Sequence, residues 1–116
     1  MATKQVLCVD DNAFVLASLR YLLETNGYAV VSAPNGRTAL ASGNKVFDLI
    51  VVDYDLPDLN GLQVARELRK RHHSVPILLY SGCAEIPQDG MQDVSAFVSK
   101  GESVQRLLDT VGRLVA

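Results

Sequence analysis

Short apolar runs alternate with segments of helical periodicity along nearly the whole of this 116-residue chain. The first run, residues 6–9, is apolar at every position, which is typical of a strand buried on both faces of a sheet. Strands that alternate with helices are joined by right-handed crossovers and run parallel, so the pattern predicts an α/β fold: a five-stranded parallel sheet, doubly wound, with helices on both faces. The predicted strands are residues 6–9, 29–33, 49–53, 77–80 and 96–99, and the predicted helices are residues 13–25, 37–42, 62–71 and 103–114.

The segment between the fourth and fifth predicted strands is the least regular part of this pattern. We call residues 82–95 the fourth crossover. It contains both Pro87 and Gly90. Proline is tolerated in the first turn of a helix, but glycine in a helix interior costs about 1 kcal/mol. We therefore expect the helix of this crossover, within residues 84–93, to be short, frayed or displaced.

Composition narrows the class of protein. Apolar residues make up 48% of the chain and charged residues 21%, as in ordinary globular domains, and the net charge is -2. This charge gives no general attraction to nucleic acid or to acidic membranes, and no apolar stretch is long enough to span a bilayer. Cys8 and Cys83 fit no metal or redox spacing, and no signal peptide is recognised. We expect one cytoplasmic domain, residues 1–116, that binds neither nucleic acid nor membrane.

Polar side chains follow four of the predicted strands at the point where each strand ends. Asp10 and Asp11 follow the first strand and Asp53 ends the third, while Ser81 and Lys100 follow the fourth and fifth. The carboxyl ends of parallel strands meet at one edge of a sheet, where ligand crevices form. Carboxylates held close together repel one another unless a cation joins them. The sequence therefore predicts a divalent metal beside Asp53 at this edge.

Taken together, these strand-end residues resemble the receiver domain of two-component response regulators, which has a chemotaxis-regulator-like fold. The resemblance extends from residue 6 to residue 115 and depends on residue types at four strand ends, in the right order, rather than on one motif. It implies the flavodoxin-like strand order 2-1-3-4-5. It also implies that Asp53 is the nucleophile that takes a phosphoryl group and becomes an acyl phosphate.

The resemblance implies a Mg²⁺ ion beside the nucleophile. Asp10, Asp11 and Asp53 would supply carboxylate oxygens to this ion, the first either directly or through a water molecule. Asp55 would supply its backbone carbonyl. Oxygen ligands of this kind are those that Mg²⁺ takes in proteins that transfer phosphoryl groups.

The resemblance also implies how the modification is held and read. Lys100 would pair with one phosphoryl oxygen, and the Ser81 hydroxyl would donate a hydrogen bond to another. When Ser81 is drawn inward, Phe97, three residues before Lys100, would turn from the outside of the fold to the inside. The readout would then be a packing change on the surface made by the fifth strand and its flanking helices.

A module of this kind is a signalling protein rather than an enzyme with its own substrate. It would receive phosphate from a histidine kinase or a phosphotransfer protein. It would act on a downstream protein or on an output domain that this chain lacks, as a monomer or as a phosphorylation-dependent dimer. Two features depart from the family: Gly101 stands where receivers most often have proline, and the fourth crossover is a few residues shorter than usual.

Each of these residues, taken singly, also has a structural interpretation. Asp11 or Asn12 can cap the first helix, because aspartate and asparagine lead the preferences at that position. Asp53 and Ser81 can be ordinary turn residues, and Lys100 can be a solvated charge at a strand end. Their joint occurrence at one predicted edge favours the functional interpretation.

Three other functions compete with this one. Asp53-Tyr54-Asp55 resembles the nucleophile and acid pair of haloacid-dehalogenase-type phosphatases, but it falls on the third strand and Leu56-Pro57 follows it. A receiver-like adaptor that works without phosphate is motivated by the irregular fourth crossover. A flavodoxin-like cofactor site is disfavoured because Asp10-Asp11 would repel a phosphate at the end of the first strand.

Overall fold

The computed structural model describes residues 3–42, 44–82 and 85–116. Its centre is a five-stranded, wholly parallel sheet in the order β2-β1-β3-β4-β5, which confirms the predicted order. The strands are β1 Gln5–Val9, β2 Ala29–Ala33, β3 Leu49–Val52, β4 Ile77–Ser81 and β5 Ala96–Ser99. The α-helices are α1 Ala13–Thr25, α2 Gly36–Ala41, α3 Gly61–Arg71 and α4 Val104–Val115. These bounds lie within two residues of the predicted ones, and β3 ends one residue earlier, so Asp53 is the first residue of a loop.

Helices cover both faces of the sheet, as predicted, because side chains along each strand alternate between two apolar layers. Leu7 and Val9 pack into one layer with residues of α2 and α3, and Val6 and Cys8 pack into the other with residues of α1 and α4. Cys8 is fully buried, and desolvation raises the pKa of its thiol to about 12. Its thiol therefore stays protonated and unreactive, as expected of a small core residue. Cys83 lies outside the described residues.

The fourth crossover has no α-helix among its described residues, 82 and 85–95, which bears out the expectation of a short or displaced helix there. It contains one 3₁₀ turn, Met91–Asp93, preceded by Gly90 with φ of 94°. The Arg69 guanidinium holds the end of this turn to α3, since it donates to the carbonyl of Asp93 at 3.1 Å as well as to two carbonyls of the loop after α3. In the part of the chain that the structure describes, no helix has the length and apolar character needed to cross a membrane.

Candidate functional site

Asp10 and Asp53 lie side by side at the carboxyl edge of the sheet. The backbone amide of Asp10 donates to the Ala33 carbonyl at 3.1 Å, and that of Asp53 donates to the Val9 carbonyl at 2.9 Å. Each residue therefore continues the ladder for one step beyond its strand and is fixed by the sheet. Both are nearly inaccessible to solvent, with 1% of Asp10 and 6% of Asp53 exposed. Buried carboxylates of this kind need a partner, because isolated buried charges are costly.

Asp11 completes a group of three carboxylates at this edge. One ligand oxygen from each of Asp10, Asp11 and Asp53 lies within 4.8 Å of the others. Asp11 is exposed and does not cap α1, because Asn12 takes that role: its side-chain oxygen accepts from the amides of Phe14 and Val15. Of the two residues predicted as possible caps of α1, the structure therefore selects Asn12. The Asp11 carboxylate lies with those of Asp10 and Asp53 instead.

Lys100 bridges the two buried carboxylates. Its Nζ lies 2.7 Å from Asp10 Oδ2 and 3.1 Å from Asp53 Oδ2. Burial alone would lower the pKa of Lys100, but the hydrogen bonds to Asp10 and Asp53 outweigh it and raise the pKa above the ordinary lysine value. Lys100 is therefore a cation at neutral pH. The turn that carries it is held by hydrogen bonds of its own, from the Glu102 amide to the Ser99 carbonyl at 3.0 Å and from the Gly101 amide to Ser99 Oγ at 3.2 Å.

Burial disfavours the charged form of the Asp10 carboxylate. Desolvation raises its pKa above the ordinary aspartate value, although hydrogen bonds from Lys100 and from the Asn12 amide, the latter at 2.9 Å, act in the opposite direction. The charge on the nearby Asp53 adds to the increase. The site therefore holds more negative charge than one lysine compensates.

Three further residues singled out from the sequence lie around this group. Ser81 is buried at the end of β4, and its carbonyl accepts a 3.1 Å hydrogen bond from the Lys100 amide. Phe97 lies on β5 with 38% of its surface exposed, so its ring is outside the core. Asp55 is exposed in the loop after β3, and its side chain is not part of the carboxylate group formed by described residues. The roles of these residues remain predictions.

Gly61 closes the loop that follows Asp53. Its amide donates to the Tyr54 carbonyl at 2.8 Å, and a Cβ at this position would overlap the carbonyl oxygen of Asp53. Asn60 and Gln63 form a reciprocal capping box there, which starts α3. The sequence signal for this closure is the Asn60-Gly61 pair, whose importance for holding Asp53 was not predicted. We call residues 53–61 the phosphoacceptor loop, after the role that the family resemblance implies for Asp53.

The side chains at this edge suit a hard divalent cation. The three clustered groups are carboxylates, and oxygen ligands are those that Mg²⁺ prefers. The Lys100 ammonium lies between two of them, which marks a place where positive charge is stabilised. The residues present therefore fit a magnesium ion.

Comparison with known proteins identifies the family. A model of the response regulator receiver domain matches residues 6–112. The chain belongs to this family of receiver domains. The polar-differentiation response regulator DivK of Brucella ovis is 32% identical to this receiver over 120 residues, which cover 94% of each chain. The solved structure of response regulator TrrA from Thermotoga maritima, in complex with Mg²⁺-BeF, has a TM-score of 0.91 and 29% identity and covers 97% of this chain and 99% of TrrA.

Other relatives are longer proteins. The alkaline phosphatase synthesis transcriptional regulatory protein PhoP of Bacillus subtilis is 40% identical over 77 residues, which cover 66% of this receiver but 32% of PhoP. The receiver thus spans about a third of the length of PhoP. Membership of the family establishes that this chain is a two-component signalling module.

Proposed function

We propose that this receiver accepts a phosphoryl group on Asp53 from a phosphohistidine of a partner protein. The observation that carries the proposal is the buried Asp53 carboxylate, clustered with Asp10 and Asp11 and 3.1 Å from the Lys100 ammonium. In the transfer, an Asp53 carboxylate oxygen forms a bond to phosphorus while the bond from phosphorus to the imidazole nitrogen breaks. The electron pair of that bond stays on the imidazole, and the product on this chain is an aspartyl phosphate.

Lys100 and Ser81 are proposed to hold the transferred group. Phosphoryl transfer places charge on the equatorial oxygens, so catalysis depends mainly on positioned positive charge and hydrogen-bond donors. The Lys100 ammonium already lies 3.1 Å from one of the two carboxylate oxygens of Asp53. Whichever of these oxygens takes the phosphoryl group, the ammonium needs only a small movement to reach a phosphoryl oxygen. The Ser81 hydroxyl would donate to a second oxygen, from the strand end beside Lys100.

Asp10, Asp11 and Asp53, with the backbone carbonyl of Asp55, are proposed to hold Mg²⁺. The clustering of three carboxylates and the need for positive charge between Asp10 and Asp53 support this assignment. When bound, Mg²⁺ would neutralise charge on the phosphoryl oxygens. The raised pKa of Asp10 adds support, because a buried carboxylate that is penalised by desolvation gains most from a divalent cation.

An Asp10→Asn variant separates the effect of the Asp10 carboxylate on the stability of the metal-free protein from its effect on Mg²⁺ binding. The amide is nearly isosteric, its oxygen can still accept from the Asn12 amide, and Lys100 keeps Asp53 as a partner. The raised pKa of Asp10 means that its ionisation lowers the stability of the fold as the pH rises from the ordinary aspartate pKa through the raised folded-state value. We expect the Tm of the metal-free protein to rise by a few degrees at neutral pH, while the stabilisation by Mg²⁺ is lost.

Thermal unfolding with and without millimolar Mg²⁺ measures both effects. Asp11→Asn is the matched control, because Asp11 is exposed: its metal-free Tm should equal that of the wild type, and its response to Mg²⁺ should weaken. A metal-free Tm of Asp10→Asn below that of the wild type, or a full response of this variant to Mg²⁺, would contradict the assignment.

The direct test of the proposed function is intact-mass measurement after incubation with Mg²⁺ and acetyl phosphate. We expect the mass of one phosphoryl group to be added per chain, and none without Mg²⁺. If the wild type gains no mass under any Mg²⁺ concentration or phosphodonor, the phosphoacceptor role is wrong. A receiver-like adaptor that works without phosphate would then be the better account.

Phe97 is proposed as the residue that reports the modification. Its ring is outside the core, and its neighbour across the ladder is Leu79 of β4, two residues before Ser81. Movement of Ser81 toward a phosphoryl oxygen would leave space at this end of the core, into which the ring can turn. The changed surface would be that of β5, where the described part of the fourth crossover provides a 3₁₀ turn instead of an α-helix.

The phosphodonor is proposed to dock over an apolar cleft that opens beside Lys100. This cleft, of about 580 Å³, lies between α1 and α4 and includes Tyr80 and Lys100 in its lining. Phe14 and Tyr21 border it on α1 with 79% and 73% of their surfaces exposed. Large exposed apolar side chains on a cleft that reaches Lys100 suit a partner that must bring its phosphohistidine to Asp53, because aromatic residues dominate such interfaces.

A Tyr21→Ala variant tests this docking face. We expect the KM for a phosphorylated histidine kinase or phosphotransfer protein that labels the wild type to rise about 10-fold, because truncation of an interfacial tyrosine commonly costs more than 1 kcal/mol. The rate with acetyl phosphate should not change, because a small donor needs no docking face. Val46→Ala, at an exposed apolar residue outside the cleft, is the control and should behave as the wild type with both donors. Equal loss with acetyl phosphate would contradict the assignment.

We further propose that residues 1–116 act as one receiver domain in the cytoplasm. In this setting a histidine kinase or a phosphotransfer protein supplies the phosphoryl group. The modified surface then acts on a downstream protein or an output domain.

A further inference from the structure

The Asp58 carboxylate joins the phosphoacceptor loop to the first turn of α2. Its Oδ1 accepts hydrogen bonds from the backbone amides of Gly36 at 2.9 Å and Leu59 at 2.8 Å, and its Oδ2 accepts from the amide of Arg37 at 2.9 Å. The Arg37 side chain contributes little, because its Nε is 4.0 Å away and the side chain is almost fully exposed. The connection between the loop and α2 is therefore made by one carboxylate and the backbone amides of Gly36 and Arg37, while the bond from the Leu59 amide lies within the loop.

The start of α2 packs closely against side chains of the loop and of α3. A Cβ at Gly36 would lie 2.9 Å from Val64 Cγ2 and 3.2 Å from Asp58 Oδ1, so the start of α2 approaches the loop as closely as a glycine permits. Burial acts to raise the pKa of Asp58, but the hydrogen bonds from the Arg37, Gly36 and Leu59 amides prevail and lower it. Asp58 is therefore fully ionised at neutral pH and keeps all three hydrogen bonds.

Asp58 also connects the middle of the loop to the rest of the fold. Asp53 is fixed by β1 and the end of the loop by the Gly61 amide. Among the described residues, every hydrogen bond that joins residues 55–59 to an element outside the loop ends on the Asp58 carboxylate. The backbone carbonyl of Asp55 accepts no hydrogen bond from any residue that the structure describes, so it is available to another partner.

We propose that Asp58 is a positioning residue for the metal: it holds the phosphoacceptor loop so that Asp55 can offer its backbone carbonyl to Mg²⁺. This inference rests on the proposed function, which assigns that carbonyl to the ion. Leu56 and Leu59 pack against the core and hold the loop to it. The Asp58 carboxylate holds the same loop to the start of α2. Groups that orient a metal ligand in this way commonly change metal affinity 10–100-fold when they are removed.

The test measures Mg²⁺ binding without any phosphodonor. Isothermal titration calorimetry with MgCl₂ gives the Kd, and urea unfolding of the metal-free protein gives the stability of each variant. We expect Asp58→Ala to raise the Kd for Mg²⁺ about 10-fold. Asp58→Asn can keep the two hydrogen bonds that Oδ1 accepts, so its Kd should lie nearer that of the wild type, although it removes the same charge.

Asp48 supplies a matched control. Its carboxylate also accepts a hydrogen bond from a distant backbone amide, that of Gln5 at 2.8 Å, but this bond lies at the opposite edge of the sheet, where β1 and β3 begin. Asp48→Ala should lower the stability and leave the Kd for Mg²⁺ unchanged. A change in Kd that Asp48→Ala shares would mean that a general loss of stability explains the effect.

The outcomes separate this inference from the proposed function. If the wild type is phosphorylated on Asp53 but Asp58→Ala binds Mg²⁺ as tightly as the wild type, the positioning role alone is wrong. Equal weakening in Asp58→Asn and Asp58→Ala would assign the effect to charge and also overturn it. If the wild type binds no Mg²⁺, the proposed metal site is wrong, and the inference is overturned with it.

Discussion

Asp53→Asn is expected to take up no phosphoryl group from acetyl phosphate or from a phosphohistidine donor. The amide has nearly the shape of the carboxylate and its oxygen can still accept from Lys100, so the fold should be kept. An amide oxygen is a poor nucleophile toward phosphorus, and removal of a nucleophile reduces a rate by about 10⁶-fold in the best-studied case. Intact mass after incubation with Mg²⁺ should therefore show only the unmodified chain.

Asp55→Asn is the matched control for this experiment. It keeps the backbone carbonyl that is proposed to bind Mg²⁺, and the Asp55 side chain is exposed and away from the carboxylate group, so labelling should equal that of the wild type. A phosphatase of the kind that uses a nucleophile and acid pair would need the Asp55 side chain. Equal labelling of the wild type and Asp53→Asn would end the assignment of Asp53 as the nucleophile.

Lys100→Met should have the second-largest effect, because it removes the cation between two buried carboxylates. Breaking a fully buried pair costs 3–5 kcal/mol, and because the Lys100 side chain is 25% exposed we expect a loss of about 2 kcal/mol in the free energy of unfolding of the metal-free protein at neutral pH. The phosphorylation rate should fall about 10²-fold, as when one charge-stabilising donor is removed elsewhere. Mg²⁺ should stabilise the variant more than the wild type, since the ion supplies the missing charge.

The pH dependence of this effect has a definite sign. The raised pKa of Lys100 means that its stabilising contribution is complete below the ordinary lysine pKa and is lost as the pH rises through the folded-state value above it. The wild type should therefore lose its advantage over Lys100→Met at strongly alkaline pH. At acid pH the difference should also shrink, because protonation of Asp10, whose pKa is raised, removes the repulsion. Urea unfolding across this pH range measures the difference, and equal stability of the two proteins at neutral pH would contradict the account.

Much of the site could be predicted because its residues lie at the carboxyl ends of strands. A continuous apolar run such as residues 6–9 indicates a strand buried on both faces, and parallel strands bring their carboxyl ends to one edge. That argument places Asp10 and Asp53 at the same edge of the sheet, and the structure shows their carboxylates joined by Lys100. The strand order came from the family resemblance, since periodicity does not state which strands are neighbours.

Contacts between loops could not be predicted in the same way. The role of Asp58 depends on where the amides of Gly36 and Arg37 lie in space, more than 20 residues away along the chain. The choice of Asn12 over Asp11 as the cap of α1 depends on side-chain geometry, because both residue types suit that position. In the fourth crossover, Gly90 indicated an irregular helix, but only the structure shows that Arg69 holds the segment in place.

The most direct measurement of the central claim is the location of the phosphoryl group. Wild-type protein incubated with Mg²⁺ and acetyl phosphate is treated with borohydride, which reduces an aspartyl phosphate to homoserine with release of phosphate, and is then sequenced by tandem mass spectrometry. We predict homoserine at position 53, dependent on Mg²⁺ and absent from Asp53→Asn. Homoserine at position 10, 11 or 55 instead, or a phosphoryl group on a serine or histidine, would contradict the account.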